Sequence, residues 1–405
     1  MRALAILLVF CLGCGVSGCA VRPAPRLQSP PVSRADFLAH LHDISALENP
    51  VRRTAELDSL WAGLQAAGRI PFVAADSVTF LFRGQAGSVT FTGDFDGWNP
   101  EPPHARRIPG TDLWIQNEVF PGDARLDYKI VINGGTWLLD PANPRTQRGG
   151  FGDNSELRMP AYVPSPWVER QPDVPRGSLT AAALTSSNLG YTVQYTVYTP
   201  ADYADLDSLP VIYVTDGQEY ADPRLGSMVE VLDNLIAAHR LRPLLAVFID
   251  PRVNGKNLRA EQDILNENFV GFVRDELVPV IDDHFRTGKG RMDRGILGTS
   301  LGGLNAAWFA LRAGDTFGRI GIQSPAFQAG ESRIIGLWEQ SPPADVDIFL
   351  TWGTLHDFGE DTRKFCNMLN NKEISYRKLI LNEGHSWGAW RAQLDDILTA
   401  FWPAP

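Results

Sequence analysis

From Gly177 to the C terminus, short apolar runs alternate with longer segments of helical periodicity, and this alternation restricts the fold more than any other feature. Residues 191–198, 209–215, 244–249, 295–297, 320–323, 347–352 and 376–381 read as strands. Residues 228–239, 269–285, 304–313 and 387–401 read as helices. Strands separated by helices pair in parallel, and a parallel sheet must be covered on both faces. The expected class is α/β, with this domain spanning residues 177–405.

One motif lies inside that pattern. Gly298-Thr299-Ser300-Leu301-Gly302 is the only Gly-x-Ser-x-Gly in the chain. At ordinary residue usage a chain of this length holds about 0.1–0.2 such motifs by chance, so the context decides. A buried strand before the serine and a helix after it form the setting of a nucleophile elbow. The glycines let the strained turn close. A serine hydroxyl is a poor nucleophile at neutral pH and needs a base beside it. Of the seven histidines, His385 occupies the loop after the final strand, where an α/β-hydrolase carries its base, and His356 lies in the preceding loop. Asp357 follows the strand that ends at Trp352, so Ser300, Asp357 and His385 run in the Ser…Asp…His order of that fold. Glu360 and Asp361 are rival acids. Two backbone amides are needed for an oxyanion. Leu301 supplies one candidate, and the loop Asp216-Gly217-Gln218-Glu219 supplies the other, Gln218 ahead of Gly217.

These pieces resemble the esterase family of α/β-hydrolases that includes enterochelin (siderophore) esterases, feruloyl and acetyl-xylan esterases, esterase D and mycolyltransferases. The match runs from Pro210-Val211-Ile212-Tyr213-Val214-Thr215-Asp216-Gly217 through Asn257-Leu258-Arg259-Ala260-Glu261 and Phe272-Val273-Arg274-Asp275-Glu276-Leu277-Val278-Pro279. It continues with Gly298-Thr299-Ser300-Leu301-Gly302-Gly303 and Gly384-His385-Ser386-Trp387. The chain departs at Gly353-Thr354-Leu355-His356-Asp357, one residue longer than in some members, and at Ser386, where many members have aspartate. The resemblance implies hydrolysis of a carboxylic ester by Ser300, His385 and Asp357 without metal or organic cofactor. It also implies that Arg259 and Glu261 contact substrate; a surface ion pair is the other reading of those two residues.

Residues 76–160 carry short alternating runs separated by turn residues, the pattern of a β-sandwich. Gly93-Asp94-Phe95-Asp96-Gly97-Trp98-Asn99-Pro100, Tyr128-Lys129, Gly135-Thr136-Trp137, Asp140-Pro141 and Asp153-Asn154 resemble the early-set, immunoglobulin-like modules related to carbohydrate-binding module 48. In sugar-binding members two tryptophans stack on glucose rings while a lysine and an asparagine bond hydroxyls. The resemblance gives those roles to Trp98, Trp137, Lys129 and Asn154; packing on the catalytic domain is the other reading. The fold expected of the whole is therefore an immunoglobulin-like β-sandwich followed by an α/β-hydrolase domain, joined by a proline-rich linker at 161–176.

The first 19 residues form a basic start, a ten-residue apolar run and Val16-Ser17-Gly18-Cys19, which resembles a bacterial lipobox. Export as a lipoprotein anchored through Cys19, in the periplasm or at the cell surface, is the expectation. A proline-rich tether and two helical segments would then fill residues 20–75. Removal of the leader leaves Cys366 as the one thiol beyond Cys19, so no internal disulfide is expected. Lys+Arg 37 against Asp+Glu 47 gives −10, which disfavours nucleic acid as a partner. The expected partners are a small-molecule or glycan-linked ester and a membrane. An idle glycan-binding surface protein and an acyltransferase of the same fold remain as alternative classes.

Overall fold

A computed structural model describes residues 33–343 and 345–405; the leader, Cys19 and most of the tether lie outside them. Helix α1 (Arg34–Ala46) begins where the Ser33 hydroxyl accepts the Asp36 amide, and α2 (Pro50–Ala66) where the Asn49 side chain accepts two amides. Their apolar faces (Phe37, Leu41, Ile44, Leu57 and Leu64) pack on the outer face of an antiparallel sheet.

That sheet has the order β1-β2-β5-β4, from β1 (Phe72–Ala74), β2 (Ser77–Arg83), β5 (Leu113–Val119) and β4 (Arg106–Arg107). A second antiparallel sheet runs β3-β6-β9-β8, from β3 (Val89–Gly93), β6 (Arg125–Ile132), β9 (Gly152–Arg158) and β8 (Thr146–Gly149), with β7 (Thr136–Leu138) also on β6. Period-two alternation divides β2 between two cores. Val78, Phe80 and Phe82 meet Phe91, Leu126, Tyr128 and Ile130 of the second sheet, whereas Leu81 faces the helices.

After a segment without strand or helix, eight strands form one sheet of order β10-β11-β13-β12-β16-β17-β18-β19. They are β10 (Ser178–Thr185), β11 (Thr192–Thr199), β12 (Val211–Val214), β13 (Leu245–Asp250), β16 (Arg294–Thr299), β17 (Arg319–Gln323), β18 (Asp347–Gly353) and β19 (Tyr376–Leu381). A short ribbon, β14 (Arg252–Val253) with β15 (Lys256–Asn257), stands apart. The pairs from β13 to β19 are parallel, and those joining β10, β11 and β13 are antiparallel. Alternate residues serve opposite cores: Val211 and Tyr213 face one, Ile212 and Val214 the other. The first core takes α6 (Glu267–Gly271), α7 (Val278–His284), α8 (Leu301–Ala313), α9 (Arg333–Gln340) and α10 (Gly359–Asn371). The second takes α4 (Met228–Ala237), α11 (Trp387–Arg391) and α12 (Leu394–Phe401). Two short helices, α3 (Gly217–Tyr220) and α5 (Arg259–Asp263), follow the carboxyl ends of β12 and β15.

Three details correct the sequence reading. Residues 178–185, not expected as a strand, form edge strand β10; its side chains are largely exposed, so no apolar alternation marks it. The helix expected over 269–285 joins α6 and α7 through a π-helical stretch at Phe272–Leu277. The helix expected over 387–401 breaks before α12. At the break Gln393 is buried, its Oε1 accepting from Thr351 Oγ1 (2.6 Å) and Gln323 Nε2 (2.9 Å). Cys366 is buried in α10.

Candidate active site

Ser300 sits between β16 and α8 at φ 60°, ψ −115°, a conformation costly for a residue with a Cβ. A Cβ on Gly298 or Gly302 would collide with the Thr215 hydroxyl, so both positions need glycine. Backbone bonds hold the turn: the Ser300 amide donates to Gln323 O (3.0 Å), and its carbonyl accepts from Ala326 N (2.9 Å).

The loop after β19 brings His385 to this serine. Its Nε2 lies 2.9 Å from Ser300 Oγ and its Nδ1 2.6 Å from Asp357 Oδ1. Phe358 and Trp390 pack against the imidazole, with ring centroids 4.5 and 4.8 Å away. Asp357 is buried at the end of the β18 loop, and its other oxygen accepts from Ser324 Oγ (2.6 Å) and the Gly353 amide. Ser324 Oγ in turn accepts from Trp390 Nε1 (2.9 Å). The carboxylate is thus fixed by three donors and the imidazole by two aromatic rings. The rival acids take another partner: exposed Glu360, although it lines the same cavity as Ser300 and His385, pairs with Lys364 (3.0 Å), as does Asp361 (2.9 Å).

Leu301 is the first residue of α8 and Gln218 the second of α3, positions whose amides have no partner within their own helices. Asp216, in a left-handed conformation, starts α3, and a Cβ on Gly217 would strike the backbone at Phe248 and Ile249. Arg259 ties the two loops together. Its Nε donates to Asp216 Oδ2 (2.6 Å) and its Nη2 to Thr299 O (3.0 Å). Arg259 lines the cavity that holds Ser300 and His385, as a substrate-contacting residue would, whereas Glu261 is solvent-exposed and off that wall; Arg259 pairs with Asp216, so the alternative Arg259–Glu261 ion pair does not form.

Ser300 and His385 open into a cavity of about 1020 Å³ built by both halves of the chain. Trp98, Lys129, Trp137 and Asn154, to which the resemblance gives sugar-binding roles, all line this same cavity. Asn154 donates to Asp127 Oδ2 (3.0 Å), and the Trp98 indole N–H donates to Asp94 Oδ1 (3.2 Å). Phe151, Phe358, Arg363 and Trp390 are among the further wall residues that the sequence did not single out. Phe151 is fully exposed at the tip of the β8–β9 hairpin, flanked by Gly150 and Gly152. That run of glycines around an aromatic was its only signal. His356 lines the cavity beside Gly97.

The Putative esterase family model matches residues 186–401. The chain belongs to that family of carboxylic ester hydrolases. It is 25% identical over 350 residues to the Iron(III) enterobactin esterase of Dickeya dadantii, an alignment covering 74% of this chain and 76% of that protein. It is 27% identical over 221 residues to the Endo-1,4-beta-xylanase/feruloyl esterase of Xylanibacter ruminicola, covering 52% of this chain but only 30% of that longer enzyme. The Ferric Enterobactin Esterase structure from Salmonella typhimurium shares the fold at a TM-score of 0.69 and 21% identity, covering 80% of this chain and 93% of that one.

Beside His385, Glu383 is buried and its Oε2 has no hydrogen-bond partner among the described residues. Burial pushes its carboxyl up to about 7; Arg125 opposes the shift, and Asp127 and Glu156 add to it. The folded chain therefore holds this proton more tightly than the unfolded chain. The resulting stability is full below the ordinary value of 4.5 and is lost as pH rises through about 7. Glu383→Gln should reduce the fall in melting temperature across that window, measured by thermal denaturation at a series of pH values. An unchanged slope would contradict the assignment.

Proposed function

We propose that the chain is a serine esterase whose acyl-enzyme forms on Ser300 and whose substrate carries an aromatic ring. The observation that carries this reading is the hydrogen-bonded line Asp357–His385–Ser300 at the floor of an aromatic-walled cavity. His385 Nε2 takes the Ser300 proton as Oγ bonds to the ester carbonyl carbon. The imidazolium is held by Asp357, which orients the ring and compensates its charge. The tetrahedral oxyanion is received by the amides of Leu301 and Gln218. Collapse expels the alcohol, which takes the proton from His385. Water, activated by the same imidazole, then releases the acid and restores the serine.

Trp98, Trp137, Phe151, Phe358, Trp387 and Trp390 wall the cavity, and planar rings gain most from such surfaces. Feruloyl and catecholate esters both carry such a ring, whereas an acetyl ester offers none on its acyl side. Lys129 and Arg363 bring positive charge to the wall and Glu219 and Glu360 bring negative charge, so the lining offers partners to both accepting and donating substituents of a substrate. We read the two N-terminal sheets as an immunoglobulin-like β-sandwich over 76–160, reached through a collar at 20–75 and joined by a linker at 161–176 to the hydrolase domain at 177–405. In this reading Trp98, Lys129, Trp137 and Asn154 serve the ester site, so the sandwich acts as part of the enzyme. Export through residues 1–19 with lipid on Cys19 completes the proposal. A palmitate analogue should label the wild type in cells, and persistent labelling of Cys19→Ala would refute the anchor.

Ser300→Ala and His385→Ala should each lower kcat by several orders of magnitude, and the double variant little further, because such residues act as a unit. Asp357→Asn should also be damaging, while Glu360→Gln and Asp361→Asn stay near wild type. Undiminished turnover by Ser300→Ala would overturn the mechanism. For matched esters of one alcohol, the aromatic acyl ester should show at least tenfold higher kcat/KM than the acetate, and Phe151→Ala should narrow that gap. Equal values for the two esters in the wild type would refute the aromatic specificity.

A further inference from the structure

The segment that carries His385 is gripped from the other half of the chain. Arg125, the first residue of β6, is almost wholly buried. Its amide donates to Asn382 O (3.0 Å), and its Nη1 donates to Ser386 Oγ (3.0 Å). Its guanidinium lies against Gly388 so closely that a Cβ there would collide with it. Next to it, the Asn382 side-chain amide donates to Asp123 Oδ1 (2.8 Å), and the Asp94 carboxylate fills the space that a side chain at Gly384 would need. Contacts from the N-terminal sheets therefore bracket His385 on both sides, at 382, 384, 386 and 388.

The grip is built from costly parts. Arg125 Nε pairs with Glu156 Oε1 (2.8 Å) and Nη2 with Asp127 Oδ1 (2.5 Å), in a place with almost no water. Glu156 also takes Arg158 (2.9 Å). Asp94 Oδ2 accepts the Asp127 amide (2.8 Å), which locks the two acidic residues in register. Well-packed apolar residues would seal the same seam at no desolvation cost. A planar fork with three fixed directions does what they cannot. It takes two carboxylates of its own module and leaves its third arm for the hydroxyl next to the imidazole.

We infer that Arg125 is a positioning residue for His385, so that the N-terminal module sets the alignment of the imidazole with Ser300 as well as walling the cavity. The inference rests on His385 being the base of the proposed mechanism. A loop displaced by about 1 Å loses about a hundredfold in rate, and substrate contacts on the cavity walls need not change with it. The signature is therefore a fall in kcat with KM retained.

The test compares Arg125→Lys, which keeps the charge but loses the fork, with Ser386→Ala, which removes the hydroxyl that Arg125 holds at the cavity wall. Both should lower kcat by tenfold or more, with KM within about twofold and the melting temperature of Ser386→Ala close to wild type. The double variant should fall no further than the worse single one. The rate at which a fluorophosphonate labels Ser300 gives the same comparison without any choice of ester, and it should drop in step with kcat. If either single variant folds and labels at the wild-type rate, Arg125 only seals the seam and the inference fails. If labelling is instead insensitive to His385→Ala, the assignment of the base fails first and takes the inference with it.

Discussion

The site depends on a serine backbone held where a residue with a side chain is rarely found. At φ 60°, ψ −115°, Ser300 points its hydroxyl away from the sheet and into the cavity, and the surrounding structure exists in part to hold it there. Gly298 and Gly302 allow the chain to fold tightly past Thr215, and Gln323 and Ala326 fasten both backbone groups of the serine. The parallel sheet does the rest. Because β12, β16, β17 and β18 run in one direction, the loops at the carboxyl ends of β12, β16 and β18 bring Asp216, Ser300 and Asp357 to one edge. Arg259 spans two of those loops, and His385 arrives from the next strand.

The N-terminal sheets are inseparable from this arrangement. They contribute Trp98, Lys129, Trp137, Phe151 and Asn154 to the cavity, and through Arg125 they hold the loop that carries the histidine. The seam between the halves is charged and dry. Arg125, Asp127, Glu156 and Glu383 share it, and burial raises the carboxyls of Asp94, Asp127 and Glu383 above their ordinary values. The pH dependence of stability and the geometry of the site therefore arise in the same few residues.

Much of this was legible from residue order. The strand–turn–helix around Ser300 and the positions of Asp357 and His385 after successive strands were readable because a parallel sheet maps sequence order onto place. Residues brought together across the seam were not. The motif containing Trp98 and Trp137 could be recognised, yet nothing local tells that their faces meet Ser300, some two hundred residues later. Arg125 looks like any strand arginine until its buried partners are known. Glu261 misled for the opposite reason: it follows Arg259 in the sequence, but the turn of α5 sends it to solvent while Arg259 reaches inward to Asp216. Edge strand β10 was missed because a strand with little to bury has no apolar period.

The most direct test of the account is to catch the bond it requires. An aromatic acyl ester is mixed with the enzyme, the reaction is quenched in acid during turnover, and the digested chain is mapped by mass spectrometry. The acyl group should be found on the peptide containing Ser300, and the adduct should disappear as substrate is exhausted. An acyl group on another residue, or steady turnover with no adduct at any quench time and undiminished by loss of Ser300, would contradict it.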